Sequence, residues 1–129
     1  MDKYKNENRI ASSILYQAFK IHNELGPGLL ESVYERCLKY ELEQIGHKVQ
    51  TQVSVPLTYK SLQFETGFKN DLLVDNLVLI ELKAIEALAP VHFAQTLTYL
   101  KITKLKLGLL INFNNKFLKD GIHRVVNNL

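Results

Sequence analysis

Asp71, Glu81 and Lys83 are charged side chains set inside an apolar stretch. Residues 68–84 read Phe-Lys-Asn-Asp-Leu-Leu-Val-Asp-Asn-Leu-Val-Leu-Ile-Glu-Leu-Lys-Ala, two apolar runs about a turn at Asp75-Asn76. A buried carboxylate is costly unless it is paired or holds a metal. Two carboxylates at this spacing can hold Mg²⁺, which takes oxygen ligands and keeps several waters. A lysine beside them can orient or help deprotonate an attacking water, or steady charge developing on a phosphate. These are the parts for phosphodiester hydrolysis. The same three residues also fit a surface salt bridge between Lys83 and Glu81 or Asp71.

The geometry of the turn separates these readings. Alternate residues of a strand share a face, so Glu81 and Lys83 project together, as do Lys69, Asp71 and Leu73. A strict two-residue turn would set Asp71 opposite Ile80 and turn Glu81 to the other face. An odd-length loop or a bulge would set Asp71 opposite Glu81 and Lys69 opposite Lys83. The other face would then hold Leu72, Val74, Val78, Ile80 and Leu82, all apolar. That clean separation favours the odd register.

The surrounding elements must position these groups. Residues 7–25 carry Ile10, Ile14, Ala18, Ile21 and Leu25 at helical spacing. Gly26-Pro27-Gly28 ends that helix. A second helix is expected over 29–45, with Leu30, Val33, Tyr34, Cys37, Leu38, Leu42 and Ile45 inward and Gly46 as its left-handed stop. Glu31 falls in its first turn, where a carboxylate suits the helix dipole. Residues 48–60 alternate as a half-buried strand with Val49, Thr51, Val53 and Val55 on one face, and Pro56 marks a kink or an edge. Strands over 63–74 and 77–84 follow, too closely spaced for parallel crossovers. Pro90 opens a third helix over 90–102, and 106–113 is a buried strand, parallel because a helix precedes it. A Lys119-Asp120-Gly121 turn and a short final strand complete the chain. The expected class is α/β: a mixed central sheet, an antiparallel three-strand meander plus a parallel strand, flanked by helices on both faces.

The 129 residues suffice for a single domain over 1–129, and a hydrophobic share of 47% excludes a disordered chain. A net charge of +3 does not by itself argue for nucleic acid. The lone Cys37 fits a reducing compartment, the polar start shows no signal-peptide core, and no apolar run reaches membrane-span length. The expectation is a cytoplasmic protein without a membrane partner. There is no His/Cys cluster for zinc, no Gly-x-x-x-x-Gly-Lys loop and no Gly-x-Ser-x-Gly elbow.

Asp71…Glu81-Leu82-Lys83, within this order of elements, resembles the PD-(D/E)XK nuclease superfamily. Gly28-Leu-Leu-Glu31-Ser-Val-Tyr34 matches the GxxExxY signature of a family of small stand-alone proteins in that superfamily. Gln95-Thr-Leu-Thr-Tyr99 resembles the QxxxY motif of its RecB-like branch. The similarity runs from about residue 10 to 126. It implies a restriction-endonuclease-like core and an Mg²⁺- or Mn²⁺-dependent deoxyribonuclease. Asp71 and Glu81 would be metal ligands, with the Leu82 carbonyl contributing and Glu31 reaching the metal directly or through water. Lys83 would be the catalytic lysine. Gln95 and Tyr99 would contact DNA or brace the site. Asn70 stands where the superfamily pattern has proline.

Read alone, Gln95 is expected to face the core, and Tyr34 and Tyr99 to be core edges whose hydroxyls need partners. His22 could approach Glu31 across the Gly-Pro-Gly turn, and His92 shares the Gln95 face; His47 and His123 read as surface. Lysines 101, 104, 106, 116 and 119 could track a phosphate backbone near the site or form a solvated face. The competing functional class is a nucleic-acid-binding or regulatory module that keeps the fold without turnover. A domain this small could use a homodimer to embrace a duplex.

Overall fold

Ile10, Ile14, Ala18 and Ile21 all lie buried on one side of helix α1 (Lys5–Leu25), as the spacing requires. The computed structural model describes residues 5–129, with Lys5 in backbone only. Residues 1–4, part of the polar start, lie outside the described residues. Helix α2 (Glu31–Gln44) buries Tyr34, Leu38 and Leu42, one residue per turn. It stops at Gly46, whose φ of 95° is open to glycine and strained for other residues.

Strand β1 (Val49–Tyr59) pairs antiparallel with β2 (Leu62–Val74), which pairs antiparallel with β3 (Val78–Lys83). Helix α3 (Pro90–Thr103) crosses over to β4 (Leu107–Asn112), parallel to β3. A short 3-10 turn (Leu118–Gly121) leads to β5 (Ile122–Val126), antiparallel to β4. The sheet order β1-β2-β3-β4-β5 follows the chain. This five-stranded mixed sheet flanked by three helices is the expected restriction-endonuclease-like α/β fold. Pro56 lies on an edge strand, where the β1–β2 register shifts between Val55 and Leu57. Gly67 fits that shift: a Cβ there would come within 2.5 Å of the Leu57 Cβ.

The two sheet faces differ in what covers them. Leu72, Val74, Val78, Ile80, Leu82, Leu107, Leu109 and Ile111 join the α1 and α2 side chains in the main core. On the other side α3 lies against β4 where Gly108 has no side chain; a Cβ there would sit 3.1 Å from Thr96 Cγ2. Val74 pairs with Val78, so the β2–β3 loop is Asp75, Asn76 and Leu77. Its odd length sets the register that puts Asp71 level with Glu81. Asp75 and Asn76 adopt left-handed φ of 53° and 56°, which their short polar side chains tolerate better than most. Asp75 also anchors the loop to the end of α2: its Oδ1 accepts the Lys48 N–H at 2.9 Å, and its Oδ2 lies 2.6 Å from His47 Nδ1. Among the described residues, no helix is long and apolar enough to cross a membrane.

Candidate active site

The β2–β3 ladder runs from Val74↔Val78 to Leu72↔Ile80, and beyond it side chains take over the bonding. The Leu82 N–H, which faces β2, donates to Asp71 Oδ2 at 2.9 Å. The Asp71 N–H donates to Glu81 Oε1 at 3.4 Å. The Asp71 carboxylate thus replaces backbone pairing at the point where the two strands part. A strand residue sends its N–H and C=O to the same side. The Leu82 carbonyl therefore also faces the Asp71 edge, as a ligand role requires.

Glu81 is only 5% exposed. Its carboxyl is pushed up to about 8, first by burial and then by the charge of Asp71; Lys83 opposes this only slightly. A buried carboxyl held against a second carboxylate is the environment that a divalent cation relieves. The donors here are carboxylate and carbonyl oxygens, with neither thiolate nor imidazole, which suits Mg²⁺ or Mn²⁺ over zinc. Among the described residues no three His, Cys, Asp or Glu side chains converge as a ready metal cluster. A cation held by Asp71, Glu81 and the Leu82 carbonyl would complete its shell with water, as Mg²⁺ commonly does.

Lys83 ends β3 half-buried, and its backbone is held firmly. The Phe113 N–H donates to the Lys83 carbonyl at 2.9 Å. Asn112, wholly buried in β4, locks the next turn: its Nδ2 donates to the Ile85 carbonyl at 2.9 Å and its Oδ1 accepts the Ile85 N–H at 3.1 Å. Sequence reasoning passed over Asn112, yet a signal was present in the one polar residue interrupting an apolar run.

Helix α2 brings Glu31 to the site by way of Tyr34. Tyr34 is fully buried rather than a core edge, and stacks on Phe113 at 4.4 Å between ring centroids. Its hydroxyl donates to the Gly26 carbonyl at 2.6 Å and accepts the Leu29 N–H at 3.1 Å, pinning the loop before α2. In Tyr34→Phe those two loop groups lose their partner. Urea denaturation should show a loss of about 1–3 kcal/mol, and an unchanged midpoint would refute this bracing role.

Glu31 lines a cleft of about 210 Å³ with Ser32, Glu35, Gln52, Asp71 and Leu82. Glu35 and Gln52 escaped the sequence reading. Glu35 lies one turn beyond Glu31 on the same helix face, a spacing that could have flagged it. Its carboxyl is raised by burial, against a lowering bond from Gln52, and further by Asp71 and Glu31. Gln52 sits mid-strand at φ 49°, a left-handed backbone that costs a non-glycine residue about 1–3 kcal/mol. Nothing in its sequence neighbourhood announces that.

Helix α3 supplies the far wall. Gln95 is exposed, not core-facing, because Thr96 and Leu100 take the buried stripe of α3. Its side chain bonds to Tyr99, so the two form one unit. The Tyr99 ring stacks on Phe68 at 3.9 Å. Its hydroxyl is raised by burial and then by the charge of Glu81, against a lowering bond from Gln95.

The remaining candidates lie elsewhere. His22 is engaged elsewhere: its Nε2 lies 2.8 Å from the Asn115 carbonyl. His92 caps α3 by accepting the Ala89 N–H on Nδ1 at 2.9 Å. The five later lysines do not form one cluster, and Lys101 is exposed on α3. Lys104 and Lys106 precede Leu107, which pairs with Val78, at the opposite end of β3 from Lys83. Lys116 and Lys119 line a separate cavity with Phe19 and His22.

A sequence model of the PD-(D/E)XK nuclease superfamily matches residues 8–125. No curated protein and no solved structure matches the chain.

Proposed function

Since the chain belongs to the PD-(D/E)XK nuclease superfamily, we propose that it hydrolyses phosphodiester bonds of DNA with Mg²⁺ or Mn²⁺ held by Asp71, Glu81 and the Leu82 carbonyl. The observation that carries this reading is the Asp71 carboxylate standing where β2 and β3 part, against a buried Glu81. Membership supports nuclease-type chemistry, and nucleases of this superfamily generally use divalent ions. The motifs at Gly28, Glu31 and Tyr34 and at Gln95 and Tyr99 support placing the chain with GxxExxY proteins of the RecB-like branch.

The bound cation would neutralise charge on the scissile phosphate and acidify water at the site. Asp71 and Glu81 supply its negative donors. Lys83, at the end of β3 and two residues on from Glu81, orients the attacking water and steadies the phosphate. Glu31 borders the same cleft from α2 and would reach the cation directly or through an intervening water. The Gln95–Tyr99 unit offers amide and hydroxyl donors to the DNA backbone on the α3 side.

The test is a gel assay of purified protein on linear, single-stranded and branched DNA with Mg²⁺ or Mn²⁺, alongside Asp71→Ala. Cleavage by the wild type that vanishes in Asp71→Ala is expected. DNA binding without cleavage of any form would instead identify a catalytically silent binding module.

A further inference from the structure

Building on the cation-dependent reading above, we infer that Gln52 is a positioning residue, holding the Asp71 carboxylate in the orientation that sets the site's affinity for a divalent cation. The first observation is backbone geometry. Gln52 adopts φ 49° inside β1, yet the ladder on both sides is undisturbed: Thr51 pairs with Leu72 and Val53 with Asn70. The register shift of this strand lies further on, between Val55 and Leu57. No insertion therefore forces the left-handed turn. Such a conformation persists in a non-glycine residue where its surroundings over-determine it.

The side chain shows what those surroundings are. Gln52 Nε2 donates to Glu35 Oε1 at 2.6 Å and to Asp71 Oδ1 at 3.2 Å. An amide nitrogen carries two hydrogens, and both go to carboxylates. The other Asp71 oxygen accepts the Leu82 N–H at 2.9 Å. The carboxylate is thus held from β1 on one oxygen and from β3 on the other, which fixes its plane. Without Gln52 the carboxylate keeps the Leu82 contact and its neighbour Glu81 but loses its one tie to β1.

The residue type matters as much as the position. A lysine or arginine here would also bind Asp71, but would cancel the negative charge that a cation needs. An amide orients the carboxylate and leaves its charge in place. It also bridges Glu35 and Asp71, two groups that repel each other across the cleft. Partners that orient a metal ligand from behind typically change metal affinity by about 10–100-fold when removed.

Gln52→Gly and Gln52→Ala separate positioning from backbone strain. Both remove the amide, but glycine adopts the left-handed backbone freely and alanine does not. Calorimetric Mn²⁺ titration of wild type and both variants, with thermal melts of each, is the experiment. Both variants should bind Mn²⁺ about 10–100-fold more weakly, while Gln52→Gly melts above Gln52→Ala. A merely structural role would move the melts and leave the affinity alone. Wild-type affinity in both variants would overturn the role of Gln52 and leave the cation reading standing. Tighter Mn²⁺ binding in Gln52→Gly would overturn it too, by showing that the amide competes for the carboxylates. No heat from the wild type would overturn the cation reading itself, and this inference with it.

Discussion

Lys83→Ala should lower Mg²⁺-dependent DNA cleavage by about 10²–10⁴-fold, the usual scale for losing a group that moves or steadies a proton at the reacting centre. The fold should survive the change. Lys83 is half-buried at the end of β3; its carbonyl is held by Phe113, and Ile85, two residues on, is held by Asn112, all through groups that alanine retains. Cation binding should survive as well, because the oxygens assigned to it belong to Asp71, Glu81 and Leu82. The diagnostic pattern is therefore a lost rate with an unchanged melt and an unchanged Mn²⁺ isotherm. Cleavage at the wild-type rate by pure Lys83→Ala protein would remove Lys83 from the chemistry. A salt bridge with Glu81 or Asp71, the bland reading of this lysine, would show the opposite pattern: a changed melt and no rate effect.

Glu81→Gln should stabilise the metal-free protein at pH 8 while destroying its affinity for divalent ions. Glu81 has a carboxyl raised from 4.5 to about 8 by burial and by Asp71. In the unfolded chain the proton leaves near 4.5, but in the folded chain it stays until about 8. The stability linked to this group is fully present below about 4.5 and is lost as pH rises toward 8. Wild-type protein in chelator should therefore weaken between pH 5 and 8 by on the order of a few kcal/mol. Glutamine keeps much of the same shape without an ionisable proton, so the variant should lack that slope. Added Mn²⁺ should restore the wild type at pH 8 and leave Glu81→Gln unmoved. Parallel pH profiles for the two proteins in chelator would show that Glu81 ionises normally and is not held against Asp71. The expected trade of stability for a charged, buried ligand is common at functional sites.

Much of the site was legible because local rules constrain it. Alternation along β2 and β3 grouped Asp71 with Lys69, and Glu81 with Lys83. The run of apolar residues on the opposite faces then selected the odd register, which the loop of Asp75, Asn76 and Leu77 provides. Helical spacing likewise placed Gln95 and Tyr99 together, although it assigned Gln95 to the wrong side. Periodicity shows which residues share a face, but not which of two neighbouring stripes meets the sheet. Gly108 decided that by letting Thr96 and Leu100 approach β4.

The sequence by itself determined the order of elements and the mixed sheet, and favoured one shared face for Asp71 and Glu81, because each follows from period, turn length and chain reversal over a few residues. Only the tertiary structure decided where the strands part, so that Asp71 answers the Leu82 N–H with its side chain. It alone buried Tyr34 beneath the glycine loop, set Lys104 and Lys106 at the far end of β3 from Lys83, and brought Gln52 and Glu35 to Asp71. Those contacts join residues 8 to 19 positions apart, and left-handed backbone in mid-strand has no local signature. They depend on the packing of α2 and α3 against opposite faces of the sheet, which no single segment encodes.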